Sequence, residues 1–209
     1  MLELDFRWDE GNFFPISCGF LGGANKKIAI VYQGGFAHTE KLAHLVEKGA
    51  KEVKNAETFL IGLDEKPVDW TLLEKVDAII FGSPTYNGTV SARFKQFMED
   101  SPGPAFVEQK WRNKIAAGFT NSGAEHGDKL NSLMTMSLFA AQHAMIWVNL
   151  GLLSGKTRND LNGIGSWLGA MAQSDNASPD VTRKIEDLNT AKYLGHHVAE
   201  ITKQFCNGK

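Results

Sequence analysis

Short apolar runs recur along the chain, each bounded by turn or polar residues: Ile28–Tyr32, Glu57–Ile61, Ala78–Phe81, Ile115–Phe119 and Met145–Leu150. Runs of this length suit strands of a parallel sheet buried on both faces. Helical spacing fills the intervals. Thr39 to Lys54 repeats apolar residues at Leu42, Ala43, Val46, Ala50 and Val53, and Asp69–Lys75 allows a short helix. Ser91–Glu99 places Phe94, Phe97 and Met98 on one face, Asp128–His143 carries Leu130, Leu133, Met134, Leu138 and Ala141, and Thr182–Phe205 closes the chain. Strands alternating with helices predict right-handed crossovers and an open, doubly wound α/β sheet. Ligands of such sheets bind beyond the carboxyl ends of the strands. The stretch Leu152–Asp180, rich in Gly, Ser and Asn, is the longest irregular segment, and loops of that length usually serve function. Residues 1–25 read as an N-terminal extension carrying Phe6, Trp8, Phe13, Phe14 and Phe20, ahead of a domain over 26–209.

Composition narrows the function classes. A chain of 209 residues is one domain by length, and 43% hydrophobic with 22% charged residues is ordinary for a globular protein. A net charge of −2 without a basic stripe argues against a nucleic-acid partner. No run of about 18 apolar residues is present, so no membrane span is expected. Cys18 and Cys206 lie far apart without metal-ligand spacing, which suggests reduced thiols and a cytoplasmic protein. His196-His197 lack a third ligand at usable spacing, so no metal site is expected.

The candidate chemistry lies in three segments that follow strands. After the first comes Gln33-Gly34-Gly35-Phe36-Ala37-His38-Thr39, with a helical pattern starting at Glu40. A strand, a glycine-bearing turn and a helix N-terminus form an anion site, because backbone N–H groups there are free and the helix dipole favours negative charge. The turn is neither a Walker A loop, lacking Gly-Lys-Ser/Thr, nor the dinucleotide G-x-G-x-x-G. After the third strand comes Gly82-Ser83-Pro84-Thr85-Tyr86-Asn87-Gly88, and after the fourth Thr120-Asn121-Ser122-Gly123-Ala124-Glu125-His126-Gly127. One loop suits phosphate, and the other two suit a flat polar ring gripped by the main chain.

These segments resemble the flavodoxin fold and, more closely, the tryptophan-repressor-binding-protein (WrbA) family of FMN-dependent NAD(P)H:quinone oxidoreductases. The resemblance rests on Asp77-Ala78-Ile79-Ile80-Phe81-Gly82-Ser83-Pro84-Thr85, on Gln142-His143-Ala144-Met145 with Leu150-Gly151, and on Ala191-Lys192-Tyr193-Leu194-Gly195 with Val198-Ala199. It covers about residues 26–206 and implies a five-stranded parallel sheet of order 2-1-3-4-5. It implies that Gly34, Phe36, Ala37, His38 and Thr39 surround the FMN phosphate. Pro84, Thr85, Tyr86, Asn87 and Gly88 would hold the isoalloxazine and ribityl, and Asn121, Ser122, Gly123, Ala124 and Gly127 would flank the pyrimidine end. His143 matches a family histidine beside the flavin, so Tyr86 and His143 are the candidate proton-handling residues. Phe106 stands where the family offers an aromatic from a neighbouring subunit, and Trp167 is a second candidate near the acceptor. A homodimer or homotetramer follows from the same resemblance.

Departures from the family pattern accompany it. Gly34 replaces a common hydroxyl residue, Ala37 a glycine, and Tyr86-Asn87 an Arg-Phe pair. The reading is an oxidoreductase that passes electrons from NAD(P)H through FMN to a quinone. A flavodoxin-like electron carrier and a non-enzymatic binding protein of the same fold are the alternatives.

Overall fold

The computed structural model describes residues 25–174, 178 and 185–207. The expected extension over residues 1–25 lies outside the described residues except for Asn25, as does the start of the last predicted helix. The strands are β1 (Lys26–Tyr32), β2 (Ala56–Gly62), β3 (Ala78–Tyr86), β4 (Thr89–Val90), β5 (Ile115–Ser122), β6 (Ile146–Trp147) and β7 (Ala170–Gln173). The helices are α1 (His38–Lys51), α2 (Trp70–Lys75), α3 (Ala92–Asp100), α4 (Lys129–Gln142) and α5 (Ile185–Asn207), with a π-turn at Pro102–Phe106.

The sheet runs β2-β1-β3-β5 in parallel, and the outer side of β5 carries two short strands end to end. Ile115 and Ala116 pair with β6, while Phe119 to Ser122 pair with β7. The expected fifth strand is therefore split. Residues 148–169 leave the sheet edge between its halves and return. The 2-1-3-4-5 order holds when β6 and β7 are counted as one strand and β4 as a hairpin arm on β3.

Alternation within each strand assigns its residues to two cores. Ile28, Ile30, Ala78 and Ile80 face α1 and α5, while Ala29, Val31, Ile79 and Phe81 face α2, α3 and α4. Both sets are fully buried, as the unbroken apolar runs predict. Phe81, Phe94, Phe97, Trp111 and Phe139 form an aromatic cluster on the second face. Helix starts obey local chemistry: Asp69 caps α2 through Leu72 N at 2.9 Å, and Ser91 caps α3 through Phe94 N at 3.2 Å.

Helix α4 departs from the expected face. Leu133, Met136, Phe139 and Ala140 pack on the sheet, whereas Leu130, Met134 and Leu138 are more than half exposed. Apolar residues fall on both sides of the helix, so periodicity did not choose between them. Cys206 on α5 is 9% exposed, with its Sγ 3.9 Å from Asp77 Oδ1. No free cysteine is found among the described residues, so the expected reduced thiol does not hold at Cys206. Spacing along the chain said nothing of what α5 brings to the amino end of β3.

Helices α1 and α5 cross where each supplies a glycine. A Cβ on Gly49 would sit 1.8 Å from Lys192 O, and one on Gly195 1.8 Å from Val46 O. Alanine would raise helix propensity by about 1 kcal/mol at either position, but here it drives two backbones apart. Gly195→Ala is expected to lower stability by about 1–3 kcal/mol, read as a lower urea midpoint at unchanged slope.

Candidate cofactor-binding site

Parallel register brings the three segments to one edge. Tyr32 pairs with Gly82, Ser83 with Thr120, and Pro84 with Asn121, so β1, β3 and β5 end side by side. Helix α1 starts directly beyond β1. Ala37, its N-cap, adopts a left-handed conformation at φ 69°, and no side chain among the described residues caps the helix. A non-glycine residue held there costs about 1–2 kcal/mol, which the surrounding contacts must offset. Two residues on, Thr39 is 1% exposed, and its Oγ1 has no hydrogen-bond partner among the described residues. An uncapped helix N-terminus beside an unpaired buried hydroxyl fits a bound oxyanion, which would satisfy both.

The second segment is structured rather than a loop. Strand β3 continues through Tyr86, and Asn87 and Gly88, at φ 48° and 88°, turn the chain into β4. Asn-Gly is the pair such a tight hairpin favours. Beneath it, Thr85 Oγ1 bonds Thr120 Oγ1 at 2.8 Å and Ser132 Oγ at 2.7 Å, all three hydroxyls buried. Asn131 Nδ2 donates to Gly88 O at 2.7 Å and anchors the hairpin on α4. Tyr86 reaches back to the first segment, where the Phe36 main chain hydrogen-bonds its hydroxyl. Burial nonetheless raises the Tyr86 pKa, so the phenol stays protonated at neutral pH. The Phe36 and Tyr86 rings meet edge to face at 6.3 Å, with Phe36 81% exposed.

The third segment emerges from β5. Asn121 and Ser122 are buried strand residues, and Asn121 Nδ2 donates to Ser174 Oγ at 3.2 Å. Gly123 and Gly127 are half-buried, and Ala124 is exposed. A Cβ at Gly127, whose φ is +52°, would fall 2.0 Å from Ser122 Oγ.

Three predicted residues are not brought to this edge. Helix α4 runs back from the third segment, so His143, just past its end, lies at the opposite edge. It is 1% exposed, packed against Trp111 at a ring separation of 4.4 Å and Phe139 at 4.7 Å. Its Nε2 lies 3.0 Å from Ser101 Oγ, which itself donates to Met98 O. Nε2 is therefore the donor, and Nδ1 is left without a partner among the described residues. Burial pushes the His143 pKa down to about 4. As a proton carrier at this chain's own site His143 is corrected: resemblance gave its position in the sequence but not the edge of the sheet it occupies. Phe106 stacks edge to face on His143 at 5.5 Å and shares that remote edge. Trp167, 59% exposed, precedes β7 and lies below the loop edge, its carbonyl accepting from Leu150 N.

Other residues at the loop edge escaped the motif reading. Asp64 Oδ2 accepts from Gln33 Nε2 at 2.8 Å and from Gly34 N at 3.2 Å, pinning the first turn. Because β2 neighbours β1, residues just beyond β2 flank the turn, and the strand order alone pointed to them. Lys129, 1% exposed, donates to Ser122 Oγ and Ala124 O, both at 3.0 Å, and to Glu125 O. Arg158, from the 148–169 insertion, forms a bidentate pair with Asp187 at 2.8 Å and sets Nε 2.7 Å from Glu125 Oε1, without hydrogen-bond alignment.

A doubly wound sheet with an anion-accepting helix start and two polar segments on one edge defines a flavodoxin-like nucleotide-binding protein. Residues 33–158 match the model of the NADPH-dependent FMN reductase family, and the chain belongs to that family. It is 36% identical over 186 residues to flavodoxin FldP of Pseudomonas aeruginosa, covering 85% of this chain and 97% of that protein. It is 35% identical over 167 residues to an NAD(P)H dehydrogenase (quinone) of Archaeoglobus fulgidus, covering 78% of each. Among solved structures, a flavodoxin, WrbA-like protein from Agrobacterium tumefaciens superposes with a TM-score of 0.67 at 35% identity, covering 86% of this chain and 99% of that one.

Two predictions follow from this geometry. Ala37→Asp is expected to weaken FMN binding by tenfold or more, because a carboxylate about 4 Å from a phosphate costs about 1–4 kcal/mol; a fluorescence titration measures it. For His143, the folded pKa near 4 lies below the ordinary 6.5, so the folded state prefers the neutral ring. Its stabilising share is complete above the unfolded value and is lost as pH falls from 6.5 towards 4. That loss is at most about 3 kcal/mol, and His143→Gln is expected to flatten the pH dependence of the urea midpoint across that window.

Proposed function

We propose that this protein is an FMN-dependent oxidoreductase that carries electrons from NAD(P)H to a quinone or similar acceptor. The observation that carries the reading is the uncapped start of α1, with the unpaired Thr39 hydroxyl behind it and two polar segments on the same edge. Gly34, Phe36, Ala37, His38 and Thr39 would surround the phosphate, with the first N–H groups of α1 and the Thr39 hydroxyl as donors, since Gly34 N already donates to Asp64. Pro84, Thr85, Tyr86, Asn87 and Gly88 would hold ring and ribityl, and Asn121, Ser122, Gly123, Ala124 and Gly127 the pyrimidine end. FMN, when bound, supplies the two-electron chemistry, while the protein supplies binding, orientation and electrostatics. Tyr86, held protonated, would donate its O–H to an acceptor oxygen. The exposed Phe36 and Tyr86 rings form the apolar mouth at which a flat acceptor would stack. A cytoplasmic location accompanies a nucleotide electron donor.

Assembly belongs to the same reading. Phe106 and His143 lie at the far edge from this chain's own loops, so either can serve only the flavin of another copy. His143 is buried beneath Phe106, which leaves Phe106 as the residue offered outward. The exposed stripe Leu130, Met134 and Leu138 supports a homodimer built on α4, or a tetramer of two such dimers. Antiparallel pairing of two α4 helices would set the Phe106 end of one copy beside the loop end of the other.

The relative named as a flavodoxin favours a second reading, a carrier that passes electrons between proteins without turning over a small acceptor. Steady-state kinetics of the FMN-loaded protein separate the two. The enzyme gives NAD(P)H oxidation with a quinone and parallel double-reciprocal lines, whereas absence of turnover with FMN bound moves the assignment to the carrier. Phe106→Ala is expected to leave the sedimentation mass unchanged and to lower quinone turnover. Unchanged turnover would remove Phe106 from the site.

A further inference from the structure

The turn after β5 is built around one buried ammonium. Lys129 Nζ donates to Ser122 Oγ at 3.0 Å, to Ala124 O at 3.0 Å and to Glu125 O. Ser122 Oγ in turn donates to Ala124 O at 2.8 Å. The turn therefore closes on itself through Lys129, and the missing Cβ of Gly127 makes room for the Ser122 hydroxyl at the centre. Lys129 is 1% exposed, while Ala124, Glu125 and His126 lie exposed on the other side of the turn.

Peptide geometry converts this closure into a direction. The carbonyl and the following N–H of a trans peptide point to opposite sides. With Ala124 O and Glu125 O drawn inward onto Nζ, the N–H groups of Glu125 and His126 point outward, away from the ammonium. Two outward N–H dipoles backed by a buried cation make a preorganised electropositive surface, and such fixed dipoles act most strongly on charge that develops during reaction.

We propose that Lys129 is a positioning residue that orients the Glu125 and His126 amides toward the pyrimidine end of the flavin and favours its reduced form. This rests on the FMN reading. Reduction makes that end of the ring richer in electrons, so amides aimed at it bind the reduced cofactor better than the oxidised one. The arrangement assigns the first segment to holding the phosphate and the third to setting the potential.

The test compares affinities for oxidised and reduced FMN, the latter under anaerobic dithionite, in wild type, Lys129→Gln and Lys129→Arg. Lys129→Gln is expected to weaken reduced FMN about tenfold more than oxidised FMN. That ratio corresponds to a two-electron midpoint potential lower by about 30 mV. Lys129→Arg, which keeps a cation at the centre of the turn, is expected to restore most of the ratio. A ratio within twofold of wild type in Lys129→Gln overturns the proposal while leaving FMN binding intact. Failure of the wild type to bind FMN at all overturns the flavin reading and this proposal together. Hydrogen exchange in the unmodified protein tests the orientation without any variant. FMN is expected to slow exchange at the Glu125 and His126 amides, and unchanged exchange there overturns it even if Lys129→Gln does not fold.

Discussion

The parallel pairing of β1, β3 and β5 is the constraint on which the site depends. No residue of the three loop segments contacts another through sequence proximity. They meet because Tyr32 is in register with Gly82, and Ser83 with Thr120. A one-residue slip would turn every side chain of a strand to the other face and place the alternating Ile and Ala residues against the wrong helices. The two cores therefore enforce the register, and the register assembles the site. The Gly49–Gly195 crossing contributes at a distance, since it lets α1 lie close to α5 while its N-terminus stays at the loop edge.

Polar groups under the loops stiffen what the sheet positions. Thr85, Thr120 and Ser132 form a buried hydroxyl cluster, and buried polar groups that find partners favour one arrangement over near alternatives. Thr39 Oγ1 breaks that pattern, having no partner among the described residues at a helix start. Native interiors seldom leave such a group unsatisfied, so its position is the part of the architecture that most directly calls for a ligand. The ionic groups divide the edge. Asp64 and Glu40 flank the first segment, and Lys129 and Arg158 organise the third.

Helix α4 links the two edges of the sheet. Its first turn carries Lys129 inside the turn after β5, and its end leads to His143 and Phe106 at the opposite edge. Its inner face is Leu133, Met136, Phe139 and Ala140, and its outer face keeps Leu130, Met134 and Leu138 in solvent. That exposed apolar stripe is the feature of α4 on which the proposed assembly rests.

The sequence by itself determined much of this. Apolar runs with helical intervals dictated the doubly wound sheet, because strands buried on both faces need unbroken hydrophobic segments and each crossover needs a helix. The helices expected from Asp69 and from Ser91 start where those side chains cap α2 and α3, and the order strand, glycine turn, helix made Gln33 to Thr39 the candidate anion site. Asn87-Gly88 sat in a segment read as a loop, and only β4 pairing with β3 made it a hairpin tip. Tertiary structure decided the rest. The split of the fifth strand depends on where residues 148–169 leave the edge, and no local pattern encodes that. The face that α4 buries was open because apolar residues line both sides. The far-edge position of His143 and Phe106, and the roles of Asp64, Lys129 and Arg158, depend on which elements neighbour one another. A site made of loop ends is a property of the register, and register is settled only when the whole sheet packs.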